Sequence, residues 1–192
     1  MTALPPRMPI AHPPRPHRWT PKDVRVMSDI GLFCDERVEL IDGEILDMSP
    51  INWPHVVAVN RLHEVLAFLM NERFWLNMQH PAALADGLPQ PDAAVYPGRM
   101  ADYSDHPTNP VLLVEVADSS LRFDLNRKAT VYARAAVPEY WVLDLENRLL
   151  HVFRDPDPDK AIYKSVQKLT PTDRVAPLFA PAASILAADV LP

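Results

Sequence analysis

One carboxylate, Glu115, lies inside an otherwise apolar segment, Val111-Leu112-Leu113-Val114-Glu115-Val116. Such a run is typical of a buried strand, and a carboxylate is almost never fully buried unless it is paired or binds a metal. Two interpretations follow. Glu115 either marks the point where the strand reaches solvent, or it is a ligand at a strand end, beside a loop where a substrate can approach.

A second carboxylate, Asp92, follows Pro91 and opens another strand-like run, Ala93-Ala94-Val95-Tyr96. Pro-Asp alone is a weak signal, because it most often belongs to a turn. If neighbouring strands bring Asp92 and Glu115 together, their oxygens form a site suited to Mg²⁺ or Mn²⁺. Magnesium usually takes one or two protein carboxylates and completes its shell with water and substrate phosphate.

Lys128 lies one helical turn beyond Asp124, and Tyr132 follows four residues later. The three side chains therefore fall on roughly one face of a helix. A single helix lysine is usually a solvated surface charge, so Lys128 gains interest from the order acid, acid, lysine along the chain. Other reactive side chains offer less, since Cys34 has no activating motif. No metal-ligand spacing connects His63, His80, His106 and His151.

Composition and charge restrict the class of protein. A chain of 192 residues, 48% of them hydrophobic, suits one globular domain, expected over residues 20–192 after a flexible, proline-rich arm at 1–19. The net charge of -6 argues against a tight, non-specific nucleic-acid binder, although an acidic total can conceal a basic cleft. A single cysteine excludes an intrachain disulfide. No apolar run is long enough to cross a membrane, so a cytoplasmic location is expected.

Local signals predict the elements that must position these residues. Thr20-Pro21 begins a first helix, which Gly31 ends. The Asp42-Gly43 turn joins two short strands in a hairpin, and Asp124 caps a helix that runs to about Ala135. A long amphipathic helix is predicted over 54–72 and a polar loop over 97–110. The other strands are expected at 74–80, at 83–85 before an Asp86-Gly87 turn, and at 92–96, 111–116, 139–144, 149–153 and 161–168.

This order of elements predicts an α/β fold. Strands mixed with two or three helices, including a strand–helix–strand passage over 111–144, indicate a sheet flanked by helices. Hairpins near both ends of the chain make that sheet mixed rather than purely parallel. Tyr140 and Trp141 lie in a buried-type strand, so we expect them in the core.

Four segments of the chain are informative as an ordered set. They are Gln90-Pro91-Asp92, then Val114-Glu115-Val116, then Asp124-x-x-x-Lys128-x-x-x-Tyr132, then Val137-Pro138-Glu139-Tyr140-Trp141-Val142-Leu143-Asp144. The set resembles the Uma-two family of the PD-(D/E)XK, restriction-endonuclease-like superfamily. The similarity covers roughly residues 20–165. Earlier segments that also match the family are Glu39-Leu40-Ile41-Asp42-Gly43-Glu44, Met48-Ser49-Pro50 and His55.

The resemblance implies a restriction-endonuclease-like mixed β-sheet flanked by helices. It also implies a metal-dependent endonuclease that hydrolyses phosphodiester bonds in nucleic acid, with DNA expected as the substrate rather than RNA. Asp92 and Glu115 would hold Mg²⁺ or Mn²⁺, with Lys128 as the catalytic cation and Glu39 as a further acid. A homodimer would supply two centres for the two strands of a duplex. Secondary candidates for the site are His55, Asp124 and Tyr132.

The chain departs from the superfamily pattern in one place that matters for chemistry. The usual lysine two residues after the second acid is replaced by Ala117. The resemblance assigns its role to Lys128 instead. The flexible side chain of Lys128 can reach the same site from the next helix. Asp118 adds a carboxylate near the site, and Ala136 replaces a glycine. Two alternatives stay open: a catalytically inactive binding or interaction module with the nuclease fold, and a metal hydrolase of small phosphoesters.

Overall fold

The computed structural model describes residues 14–34, 36–48, 50–85 and 87–192. The strands are β1 (Val38–Ile41), β2 (Glu44–Asp47), β3 (Phe74–Met78), β4 (Ala93–Pro97), β5 (Leu112–Ala117), β6 (Glu139–Asp144), β7 (Leu149–Asp157), β8 (Ile162–Leu169), β9 (Arg174–Val175) and β10 (Ile185–Leu186). The helices are α1 (Pro21–Asp29), α2 (Trp53–Leu69), α3 (Leu121–Phe123), a π-helical turn (Asp124–Lys128), α4 (Ala129–Arg134) and α5 (Ala187–Val190), with a 3₁₀ turn at Met100–Asp102.

A six-stranded mixed sheet, in the order β3-β4-β5-β6-β7-β8, forms the centre of the fold. Only β5 and β6 pair in parallel, while the other neighbours are antiparallel. A parallel pair needs a crossover connection, and here the crossover is the continuous helical segment 121–134. The predicted α/β class, with a mixed sheet flanked by helices, is confirmed.

The register between β4 and β5 places the two predicted ligands side by side. Ala93 pairs with Val114 in antiparallel orientation, so one further step aligns Asp92 with Glu115. The backbone N–H of Val116 donates to the Asp92 carboxylate at 2.8 Å, which fixes this alignment. Two positions distant in sequence thus become neighbours because one pair of strands runs antiparallel.

Apolar side chains cover both faces of the sheet. On one face, α2 packs Ala58, Leu62 and Leu66 against the sheet, and on the other face α4 packs against a layer that includes the fully buried Tyr140. Trp141 is fully buried as well, and its indole N–H donates to Glu139. Both aromatic residues lie in the core, as predicted.

Several predicted boundaries are wrong. The helix predicted over 54–72 ends at Leu69, and the strand predicted over 74–80 ends at Met78. Residues 83–85 form no strand but a single bridge between Leu84 and Gly87, because the N–H groups of residues 82–84 donate to three separate places, Pro89, Pro107 and Gly87, rather than to one neighbouring strand. Asp86 lies outside the described residues.

The predicted cap at Asp124 is also wrong. The helix begins at Leu121, and Asp124 lies within it, in the π-helical turn. Its carboxylate accepts a hydrogen bond from the Ser120 hydroxyl at 2.5 Å instead of capping backbone N–H groups. At α1 the prediction is confirmed, because Thr20 and Asp23 form a capping box.

The two ends of the chain differ in how they join the fold. Residues 1–13 of the predicted arm lie outside the described residues, while 14–18 are exposed, and Trp19 donates from its backbone N–H to Gly43 in the hairpin turn. At the other end, the unpredicted pair β9–β10 and α5 place Val190 and Leu191 in the core. Within the described residues, no helix is long and apolar enough to cross a membrane.

Candidate active site

The predicted site residues come together around one cavity of about 380 Å³. The hairpin β1–β2 forms one side of it, the start of α2 another, and the helical segment 121–134 a third. The residues that precede β4 and those within β5 form the floor. Tyr132 lies directly behind the cavity. Six predicted site residues line it: Glu39, His55, Asp92, Glu115, Asp124 and Lys128.

Lys128 is the centre of the cluster. Its Nζ atom lies 3.1 Å from Oε2 of Glu39 and 3.1 Å from Oε1 of Glu115, and Asp124 follows at 3.9 Å. Only 4% of Lys128 is exposed. The lysine therefore joins three elements, the hairpin, strand β5 and its own helix, through buried charge-assisted contacts.

Tyr132 holds Glu115 from behind. Its hydroxyl donates to Oε1 of Glu115 at 2.7 Å, and its ring is fully buried against Tyr140. Oε1 of Glu115 thus receives both the tyrosine hydroxyl and the Lys128 ammonium. The predicted single face for Asp124, Lys128 and Tyr132 is confirmed, because all three approach the same carboxylate cluster.

Asp92 is held by a different set of donors. Oδ1 lies 2.9 Å from Nε2 of His55 and accepts from the Gln79 amide at 3.2 Å, while Oδ2 accepts the Val116 N–H. Burial on its own would lower the pKa of His55, but the contact with Asp92 raises it above the usual value. His55 is thus a site neighbour rather than a surface residue.

The cavity holds more negative than positive charge. Burial raises the pKa of Glu115 well above its ordinary range, and the carboxylates of Asp124, Asp92 and Glu39 add to this effect against the opposing Lys128 ammonium. Burial would lower the pKa of Lys128, but the carboxylates of Glu115, Glu39 and Asp124 raise it, so the lysine stays protonated. Four buried acidic side chains thus surround one ammonium, and a bound cation would favour the ionised form of those whose pKa burial raises, Glu115 and Asp124.

The donor set has the chemistry of a hard-cation site without forming a complete protein cage. Within the described residues, no three His, Cys, Asp or Glu side chains are spaced to enclose a metal ion. Asp92 and Glu115 would nevertheless supply the one or two carboxylates that Mg²⁺ takes when water and phosphate complete its shell. Oxygen donors and an excess of negative charge fit such an ion.

Sequence reasoning missed several polar residues that shape the cavity. Gln79 reaches Asp92, and the Gln90 amide donates to the Val38 carbonyl at 2.9 Å, which joins the hairpin to the residues before β4. Asn52 caps α2 and also donates to Asp118 at 2.5 Å. Gln90 stands in a motif that the sequence singled out, whereas Gln79 and Asn52 acquire their contacts only through tertiary packing.

The central mixed sheet and crossover helix have the architecture of a restriction-endonuclease-like nuclease fold. The family model of Uma2, described as putative restriction endonuclease, matches residues 31–188, and the chain therefore belongs to that family. The predicted resemblance is confirmed.

Among solved structures, the chain is similar to the crystal structure of a putative nuclease belonging to DUF820 from Anabaena variabilis ATCC 29413. The TM-score is 0.65 at 14% identity, over 81% of this chain and 90% of that chain. A likeness at this identity supports the fold alone. None of the curated proteins matches the chain.

Proposed function

We propose that this protein is a metal-dependent endonuclease that hydrolyses phosphodiester bonds in nucleic acid, with DNA as the first substrate to test. The observation that carries the proposal is the position of Lys128, whose Nζ lies 3.1 Å from both Glu39 and Glu115 in the cavity that Asp92 also lines. Membership of a family described as restriction endonucleases supports the same reaction class.

Asp92 and Glu115 would hold Mg²⁺ or Mn²⁺, which in such sites polarises the scissile phosphate and lowers the pKa of an attacking water. The chain's own residues prepare the site. His55, Gln79 and the Val116 N–H orient the Asp92 carboxylate. Preorganised groups of this kind do not need to rearrange during the reaction.

Lys128 would stabilise negative charge that develops on the phosphate, or orient the attacking water. Glu115, Glu39 and Asp124 keep its ammonium protonated and hold it in the cavity. Tyr132 would orient Glu115 through its 2.7 Å hydrogen bond. Asp92, Glu115 and Lys128 thus have separate roles in one buried cluster.

The test is cleavage by the purified protein with Mg²⁺ or Mn²⁺, on plasmid, linear duplex, single-stranded DNA and RNA. We expect Asp92→Asn, Glu115→Gln and Lys128→Met each to lower the rate, while Glu64→Gln on the exposed face of α2 leaves it unchanged. Activity that survives Asp92→Asn, or no cleavage of any form, would contradict the proposal. Absence of Mn²⁺ binding at millimolar concentrations in calorimetry would favour the inactive binding module.

A second candidate is a metal hydrolase of small phosphoesters, which the limited volume of the cavity favours. It would use the same acidic pair and the same lysine. A chromogenic phosphodiester measured beside oligonucleotides separates the two, because a true small-ester hydrolase would turn over the small ester at least as efficiently.

A further inference from the structure

We propose that the substrate enters this site as an unpaired strand, so that the protein cuts single-stranded nucleic acid and excludes continuous duplex. This inference rests on the proposed nuclease function and adds the form of the substrate. The depth of the cavity, the closure of its walls, its charge and its apolar side each support it.

The first observation is depth. Glu39 and Asp92 are 8% exposed, and Glu115 and Lys128 are 4% exposed. A scissile phosphate must therefore enter the cavity to reach them. The phosphates of a duplex lie on its outside, but the stiff double helix must bend sharply or open locally to carry one of them into a recess, at an energetic cost. An unpaired strand avoids that cost, because it can bend into the cavity without losing base pairs.

The second observation is that the walls are tied together. The Arg127 guanidinium donates to Glu44 at 2.6 Å, which fastens the hairpin to the helix that carries Lys128. That contact lies outside the cavity lining and holds the hairpin in place. Within the lining, Asn52 donates to Asp118 at 2.5 Å and joins the start of α2 to the loop after β5. A duplex that parted these two walls would have to break the contact between Asn52 and Asp118.

The third observation is charge. Among the described residues that line the cavity, Arg37 and Lys128 are the permanent cations, whereas six residues carry carboxylates: Glu39, Asp47, Asp92, Glu115, Asp118 and Asp124. Duplex binding depends on phosphate neutralisation by lysine and arginine more strongly than single-strand binding does, since about 0.9 counterions are released per contacted phosphate in a duplex against about 0.7 in a single strand. A bound divalent cation would reduce the excess without reversing it. Affinity must therefore come largely from contacts to bases and sugars.

The fourth observation is an apolar side that suits a base. Leu46, Met48, Ile51 and Phe123 all contribute to the lining. The Phe123 ring is partly exposed, and the guanidinium carbon of Arg127 lies 5.7 Å from its centroid. Proteins that bind single strands without sequence preference commonly stack bases on such rings. Phe123 is thus the residue on which an unpaired base would stack.

The experiment compares one fluorescent oligonucleotide, as DNA and as RNA, with the same sequence annealed to its complement, in the presence of Mn²⁺. We expect the single strand to be cut at least about ten times faster than the duplex, because the duplex must first bend or open to bring a phosphate into the cavity. Equal or faster cleavage of the duplex would overturn the inference and leave the nuclease function standing. If no form is cleaved, the proposed nuclease function is wrong, and so is the inference that the substrate is an unpaired strand.

A variant series tests the stacking residue. Phe123→Leu should weaken binding of the single strand by roughly 5-fold to 100-fold, the range of one lost base stack, whereas Phe123→Tyr should retain it. Binding is measured by fluorescence anisotropy in the Asp92→Asn background, with thermal melting to establish that each variant is folded. Leu125→Ala, two residues along the same helix and on a different cavity, is the matched control. Equal affinity for the Leu and Tyr variants would overturn the role of Phe123.

Discussion

The Nζ atom of Lys128 and the Oε2 atom of Glu39 lie 3.1 Å apart, across the boundary between the hairpin and the helical segment 121–134. Because the hairpin forms its own two-stranded sheet, no main-sheet ladder fixes this distance. Two backbone hydrogen bonds join Leu40 of the hairpin to Leu88. Side-chain contacts join the hairpin to the helix: Arg127 binds Glu44 at 2.6 Å, and Arg134 binds Asp42 at 2.7 Å. The position of Lys128 therefore depends on an element outside the main sheet.

Lys128→Met should destabilise the protein, as well as reduce cleavage. The variant leaves Glu39 and Glu115 buried without their cation, and removal of one partner from a buried ion pair typically costs about 3–5 kcal/mol. Urea unfolding measures the change in the free energy of unfolding. The matched control is Lys160→Met, an exposed lysine 3.5 Å from Asp157, for which about 0.5 kcal/mol or less is expected. A loss of the same small size at Lys128 would contradict the buried network.

His55→Gln should weaken metal binding, because the imidazole that orients Asp92 is lost. Loss of a group that orients a metal ligand commonly lowers metal affinity by about 10-fold to 100-fold. Mn²⁺ titration by calorimetry measures this effect directly. His63→Gln, on the exposed face of the same helix, supplies the comparison. Unchanged Mn²⁺ affinity in the His55 variant would show that the imidazole does not position a ligand.

Arg127→Ala should loosen the hairpin without unfolding the protein. Partly exposed ion pairs contribute only about 0.2–1 kcal/mol, but Arg127 also donates to the Ile41 carbonyl at 3.2 Å. Hydrogen exchange should therefore quicken in β1 and β2 and stay constant in β5 and β6, while cleavage slows. Arg99→Ala removes an exposed pair with Asp102 in the loop between β4 and β5, and it should change neither measurement. An equal increase in the exchange rate in the hairpin and in the main sheet would contradict a contact that holds the hairpin locally.

His151 should lower stability as the pH falls, against the opposite effect of His55 and Glu115, whose pKa values are raised; the difference between the wild type and a His151 variant isolates its contribution. Burial lowers the pKa of this histidine below its ordinary value of 6.5, despite Asp144 at 3.6 Å. The unfolded chain therefore binds the proton more tightly than the folded protein. The contribution of His151 to the free energy of unfolding is thus fully present above about pH 6.5, and it is lost as the pH drops toward the lower folded-state pKa. Urea unfolding at pH 7.5 and pH 5.5 measures the loss. His151→Leu should reduce it, and an unaltered loss would assign the effect to other groups.

Much of the fold could be predicted because its signals are local. The Asp42-Gly43 turn and the apolar run before Glu115 specify a hairpin and a buried strand from a few residues each. The pair β9–β10 and the short α5 could not be predicted, because two-residue strands have no periodicity. They form only where other elements cover them, as the buried Val190 shows.

The site was predictable as an ordered set of residues but not as a geometry. Asp92, Glu115 and Lys128 stand out by type and order, whereas the register that aligns the first two is a property of strand pairing. Asp124 misled the prediction, since an aspartate near a helix start usually caps it. Gln79 gave no signal, because its contact with Asp92 depends on a turn at φ 52. The catalytic roles themselves stay predictions.

The π-helical turn at Asp124–Lys128 sets the phase of the crossover helix. A regular α-helix advances about 100° per residue, and a π-turn accommodates one extra residue without ending the helix. Phe123 before the turn and Tyr132 after it can therefore both face the site, although a regular helix would rotate one of them away. If the same residues formed a regular α-helix instead, the residues after the turn would rotate by about 100°, and Tyr132 would face away from Glu115 while the carboxylates on the sheet stayed in place.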